Sequence, residues 1–399
     1  MPMTESQVLF VNTDFNLQDF KVVSPTIEII WLYAGVDMSL KQKINDYLST
    51  INDPNINLPI AKVARIEWLE CSEQLIKLNI ILPYASSSFG NGLKTLLIAG
   101  ISGLLEAEKL ELEISFEILP FVSADRPEAI QQVKHIIAIA SGKGGVGKST
   151  TTVNLALALV KEGAKVGILD ADIYGPSQAK MLGVKDGARP ETESEKWMFP
   201  IEAHGVKSMS IAYLVDADQP MVWRGPMVSS ALQQMLFQTK WGELDYLFVD
   251  MPPGTGDIHL TFSQQVPASG ALIVTTPQDI ALLDAVKGIE MFRKVNIPVL
   301  GVIENMAMHV CSNCGHEEAI FGENGGSKIA EQYQSRLLGS MPLERSIREQ
   351  LDAGKPTVLD DSDSLVAVRY QQLALALAAE IGINNKQNSV VPEITISEE

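Results

Sequence analysis

The apolar pattern divides the chain into two textures. From His135 onward, short continuous apolar runs recur at His135–Ala140, Lys165–Leu169, Tyr246–Val249, Ala271–Thr275 and Pro298–Ile303. Helix-like segments separate them, one opening at Ser149 and another ending at Phe292. A strand that is apolar on both faces is covered on both faces, the situation of a parallel sheet between helices. The pattern predicts an α/β fold over residues 135–383, a doubly wound and mostly parallel sheet whose last clear strand is Pro298–Ile303.

Residues 40–119 read as a small α+β domain. Leu40–Leu48 has a helical period, and Ile60–Leu69 and Gln74–Ile81 read as strands. Gly92–Glu108 is an apolar-rich helix. Leu110, Leu112, Ile114, Phe116 and Ile118 alternate strictly with polar residues, as in a half-buried strand. Residues 120–134 are polar, include Pro127 and read as a linker. Residues 1–39 are weakly patterned, with a β-prone stretch at Phe20–Gly35. Residues 384–399 are polar and acidic and are expected to be disordered.

Composition narrows the function classes. The 399 residues are 46% apolar and 20% charged, an ordinary globular profile. Thirty-one basic against 49 acidic residues give a formal charge of −18, with no dense basic run, which disfavours nucleic acid as a partner. Three cysteines are too few for a secreted disulfide framework and point to a reducing compartment. MPMTESQVLF lacks the basic start and long apolar core of a signal peptide. Leu96–Leu105 is shorter than the roughly 20 residues that span a bilayer. The expectation is a cytoplasmic protein without a membrane partner.

The chemistry lies at strand ends. Gly142–Ser149 reads G-x-x-x-x-G-K-S, after a strand and before a helix. Gly142, Gly144, Gly145 and Gly147, with Val146 between the last two, allow a tight turn whose N–H groups meet phosphate oxygens at a helix start. Lys148 is placed to reach the β- and γ-phosphates of ATP, the Ser149 hydroxyl to ligate Mg²⁺, and Thr150 to touch the α-phosphate. Magnesium also requires carboxylates. Asp250 in LFVDMPPGTGD and Asp170 and Asp172 in ILDADIYGPS stand at the C-terminal ends of strands, where open α/β sheets build their sites. Pro252–Gly256 forms a loop able to sense a γ-phosphate.

A second lysine, Lys143, directly follows the first glycine. This resembles the deviant Walker A motif of the MinD/ParA/ArsA/nitrogenase-reductase class of P-loop ATPases. Within that class, residues 135–380 resemble the Mrp (ApbC) branch of iron–sulfur cluster carriers, on DADIYGPS, the WRGPM run at Trp223–Met227, VDMPPGTGD and ENMAMHVCSNCGHEEAIFG. The resemblance implies a homodimer in which Lys143 crosses to the partner's phosphates. It implies catalytic roles for Lys143, Lys148 and Asp172, with Asp172 orienting the attacking water. Asp170 would support Mg²⁺, Asp250 would be the Walker B carboxylate and Asn305 would contact adenine. Cys311 and Cys314 would hold a 4Fe-4S iron–sulfur cluster bridging two subunits, since one chain supplies two thiolates and such clusters take four. The implied activity is ATP hydrolysis coupled to transfer of a cluster to apo iron–sulfur proteins, with scaffold proteins of cluster assembly as further partners.

Alternatives remain on the residues alone. His309 and His316 flank the cysteines and would complete a zinc site in one chain, making the protein a nucleotide-gated scaffold. A thioredoxin-like pair would open a helix. A MinD- or ParA-type positioning ATPase would require a basic amphipathic tail or a basic DNA surface, whereas this chain ends VPEITISEE. A reductase like the nitrogenase iron protein has its cysteines far apart in sequence. His135, His204 and His259 are expected in packing or surface roles. Residues 40–119 faintly resemble the small domain fused to many Mrp proteins, on Asn52-Asp53-Pro54 and Leu82–Ser88. Serines Ser86–Ser88 stand where that family carries a cysteine, so a docking or structural role is expected. Cys71 is expected to be inert in a turn between strands.

Overall fold

The computed structural model describes residues 38–72, 75–104, 109–122, 126–194, 196–215, 225–254, 256–311 and 313–388. Phe20–Gly35, Trp223, Arg224, Thr255 and residues 389–399 lie outside them.

The centre is an eight-stranded sheet. In chain order its strands are β4 (Val133–Ala140), β5 (Val166–Asp170), β6 (Ile201–Ala203), β7 (Val206–Ser210), β8 (Leu244–Asp250), β9 (Gly270–Thr275), β10 (Val299–Glu304) and β13 (Leu337–Ser340). The spatial order is β6-β7-β5-β8-β4-β9-β10-β13, parallel throughout except for the antiparallel edge strand β6. All seven residues of β8 are buried. On β4, Ile137 and Ile139 enter one core while Ile136, Ala138 and Ala140 enter the other. That double burial is why these strands read as continuous apolar runs.

Helix α3 (Lys148–Lys161) and the long α9 (Leu365–Asn388) cover one face, through Leu155, Leu157 and Leu159 and through Leu377 and Ile381. Trp241, Phe262 and, from α6 (Asp279–Lys294), Ile289 and Phe292 fill the other. Among the described residues no helix is long and apolar enough to cross a membrane.

Pro298–Ile303 is not the last strand, and the opposite edge also extends further than expected. The strand β13 is a half-buried Leu-Leu-Gly-Ser, and β7 is Val-Lys-Ser-Met-Ser. Neither displays a continuous apolar run: β13 lies at a half-open sheet margin, and β7 is buried but carries Ser208 and Ser210, whose hydroxyls are hydrogen-bonded.

The N-terminal unit has α1 (Met38–Thr50), β1 (Arg65–Cys71), β2 (Leu75–Leu82), α2 (Ser87–Leu104) and β3 (Lys109–Phe116). Strands β1 and β2 are antiparallel, and β2 and β3 parallel. Ile60 does not begin a strand. Ile60–Val63 is a single helical turn after Pro59, with Ile60 and Val63 buried one turn apart. Cys71 is the last residue of β1 and is buried, rather than lying in a turn.

This unit shares a continuous apolar core with the α3 and α9 face of the large sheet. Glu162, at the C-terminal end of α3, is fully buried. Its carboxylate accepts from the Ser88 N–H at 2.9 Å, from the Ser88 hydroxyl and from Gln371. Its carbonyl accepts from the Ser87 hydroxyl at 2.8 Å. A carboxylate thus caps the first turn of α2, where unpaired N–H groups gather. The tail expected from residue 384 begins instead as helix. Asn385 is buried and donates to the Leu119 and Pro120 carbonyls, which ties α9 to the segment before β4.

Candidate functional site

Strand β4 ends at Ala140 and α3 begins at Lys148, and the glycine loop joins them. Gly145 and Gly147 have φ of +81° and +85°, in the left-handed region that side chains avoid. A Cβ on Gly147 would also lie 2.1 Å from the Asn305 amide nitrogen. A Cβ on Gly142 would lie 2.2 Å from the backbone of Asp284. Asn305, just past β10, is buried and donates to the Val146 carbonyl at 2.8 Å. The residue expected at the base therefore also braces the loop.

Register brings the carboxylates together. Asp250 on β8 is the direct neighbour of Asp170 on β5. The buried Lys148 places its ammonium 2.5 Å from Asp250 Oδ1, which also accepts from Thr152 at 3.3 Å. Asp250 Oδ2 accepts from Gln178 at 2.7 Å. Asp170 is fully buried, and its oxygens accept from the N–H groups of Asp172, Ser177 and Gln178 and from the Ser210 hydroxyl. That carboxylate organises the turn 172–178. Burial first, then the charge of Asp250 alongside, holds Asp170 well above the usual carboxylate range. Asp172 is half-buried, and burial raises its carboxyl too.

Lys148 and Asp172 line a cavity of about 450 Å³, within the size range of small-molecule sites, and Asp170 and Asp250 lie buried behind them. Residues 143–150 and Asp172 line one side, with Lys143 exposed. The opposite wall is Met306, Pro342, Leu343 and, from α8 (Arg345–Asp352), Ile347, Arg348 and Leu351. Sequence reasoning missed the part of that wall from Pro342 to Leu351 because it follows β13, the strand that carried no clear signal.

Cys311 and Cys314 sit in a hairpin between β11 (His309–Val310) and β12 (Glu317–Glu318). The Cys311 N–H donates to the His316 carbonyl and the Gly315 N–H to the Cys311 carbonyl, closing the turn with Gly315 at φ +72°. Cys314 is exposed and Cys311 partly so. The backbone N–H groups of Asn313 and Cys314 hold the Cys311 thiol below its ordinary range, which favours the thiolate that binds metal. The pair does not open a helix, so thioredoxin-like geometry is missing. The His309 ring lies 3.3 Å from the Leu343 carbonyl. Among the described residues no group of three or more His, Cys, Asp or Glu is arranged to hold a metal ion, so the described chain does not preform the Cys2His2 zinc site.

The hairpin is bonded to the cavity wall. The Leu343 N–H donates to the Met308 carbonyl at 2.7 Å, and His309 bridges Leu343 as a strand neighbour. The Ala307 N–H donates to Met341.

Residues 132–378 match the family described as ParA, NUBPL iron-transfer P-loop NTPase. An iron-sulfur cluster carrier protein of Pseudomonas fragi is 60% identical over 280 residues, covering 70% of this chain and 98% of that protein. One from Salmonella typhimurium is 48% identical over 343 residues, covering 86% of this chain and 93% of its own. A nucleotide-binding protein of Archaeoglobus fulgidus, solved in complex with ADP, is 36% identical with a TM-score of 0.51, covering 59% of this chain and 92% of that one. The P-loop, the strand-end carboxylates and these matches together make this chain a member of the ParA/NUBPL iron-transfer P-loop NTPase family.

Proposed function

We propose that this protein is an ATP-hydrolysing carrier that takes up an iron–sulfur cluster and passes it to apo-proteins. The observation that supports this most is the bonding of the cysteine hairpin to the nucleotide cavity through Leu343. A change at one site then has a short covalent and hydrogen-bonded route to the other.

The oxygen donors suit Mg²⁺, with the Ser149 hydroxyl and Asp250 as its holders. When bound, that ion neutralises charge on the β- and γ-phosphate oxygens. The Lys148 ammonium, with three N–H donors, bonds the phosphates from its place beside Asp250. The loop N–H groups bind the phosphates, Asp172 orients the attacking water and Asn305 meets the base. Asp170 supports the metal site through the turn it organises. Lys143, exposed at the cavity, crosses to a second copy of the chain. In the homodimer two Cys311/Cys314 pairs supply the four thiolates of one 4Fe-4S cluster, which is cargo. Scaffold proteins of cluster assembly supply it and apo iron–sulfur proteins receive it, in the cytoplasm. The domain over residues 40–119 serves as a structural or docking module.

The test is anaerobic reconstitution followed by iron and sulfide analysis and mass measurement. A cluster shared by two chains, lost in Cys311→Ser and Cys314→Ser with nucleotide binding kept, is the expected result. Iron retained by a strict monomer would refute the proposal.

A further inference from the structure

The side chain of Gln178, from outside the P-loop helix, touches both Asp250 and that helix, and no motif flagged it. It is 1% exposed. Its Nε2 donates to Asp250 Oδ2 at 2.7 Å and to the Ser149 carbonyl at 3.1 Å, while its backbone N–H donates to Asp170. Both atoms facing the side-chain amide are acceptors, so the nitrogen must face them and the amide orientation follows from chemistry. Oε1 is thereby turned to the other side, where it is a buried acceptor with no donor. The adjoining Ser177, which lines the cavity, also buries an unpartnered hydroxyl. An unpaired buried polar atom is costly, and each marks a place where a donor can arrive with a ligand.

Asp250 Oδ1 already has two donors, Lys148 and Thr152. Oδ2 has Gln178 and one acceptor position left. Lys148 is also a phosphate ligand in this reading, so Thr152 and Gln178 are the partners dedicated to holding Asp250 against the Ser149 turn. We propose that Gln178 is the positioning residue of the divalent-cation site. Its amide N–H group fixes Asp250 Oδ2 relative to Ser149, and its buried carbonyl is left for a donor that is absent without ligand. This rests on the nucleotide and magnesium reading above. Removing partners of this kind, which act behind the metal ligands, typically weakens metal affinity by about 10–100-fold.

The experiment uses the full chain with Gln178→Met, which keeps volume but removes every donor and acceptor, and Gln178→Asn, which keeps the amide one methylene short. ADP binding is measured by calorimetry in MgCl₂ and in EDTA, and Mn²⁺ binding to the ADP complex by electron paramagnetic resonance. The expected result is Mn²⁺ affinity about tenfold weaker or more in Gln178→Met, with a smaller loss in Gln178→Asn and metal-free ADP affinity unchanged. Mn²⁺ affinity unchanged in both variants overturns the proposal. Loss of ADP binding in EDTA, in parallel with metal, also overturns it and makes Gln178 a packing residue. A parent chain whose ADP binding ignores divalent cations would instead refute the magnesium reading.

Discussion

Lys148 and Asp250 form an ion pair out of water, with side-chain exposures of 6% and 0%. A buried pair adds little net stability, yet removing one partner strands the other charge at a cost of about 3–5 kcal/mol. Lys148→Ala should therefore abolish nucleotide binding and also lower the denaturant midpoint. Calorimetry and urea titration check both, and retained ADP binding would remove Lys148 from the phosphate cradle. Gly147→Ala should lose nucleotide binding as well, because a Cβ there meets Asn305 and requires the positive φ. His135 and His259 are depressed to about 4, by burial first. The His135 Nε2–H donates to the Leu119 carbonyl, so Nδ1 accepts from Ser269 and the ring is neutral. As pH falls from 6.5 to 4, the unfolded chain takes up protons that these rings refuse. Each therefore removes stability over that window, by roughly 3 kcal/mol at its end. Carbon-13 histidine spectra should show neither ring titrating above pH 5. A midpoint near 6.5 for either would contradict its burial.

Helix α3 links the sites of the protein mechanically. Its first residue is Lys148, and just past its last lies Glu162, which caps α2 of the small domain. Glu162→Ala should expose the first turn of α2 to amide exchange while leaving ADP affinity intact. Exchange unchanged at Ser87–Gly90 would mean the apolar core alone fixes the domain. Within α3, Leu157→Ala should cost about 2–5 kcal/mol, since that side chain is fully buried in the core shared with the small domain. The helix α3 and the strand β8 were legible in the chain because one has a motif at its start and the other has the apolar run Tyr246–Val249. The turn Ile60–Val63 and the strand β13 were not, because short elements take their form from what they pack against.

As an assembly, the protein has its proposed chemistry divided between two copies. Lys143→Ala should keep ADP binding but lose ATP-dependent dimer mass and turnover, read by light scattering and phosphate release. Normal turnover would show that Lys143 does not act across an interface. The −18 charge and the P-loop were plain in the composition and the spacing. A glycine loop, a lysine and strand-end carboxylates are local arrangements, and their spacing encodes their geometry. The cavity's second wall, the Leu343 bond to the cysteine hairpin, the Glu162 cap and the Gln178 bridge join residues from about 30 to over 70 positions apart. Only strand register and helix packing bring such residues within bonding distance, so chain order could not reveal them.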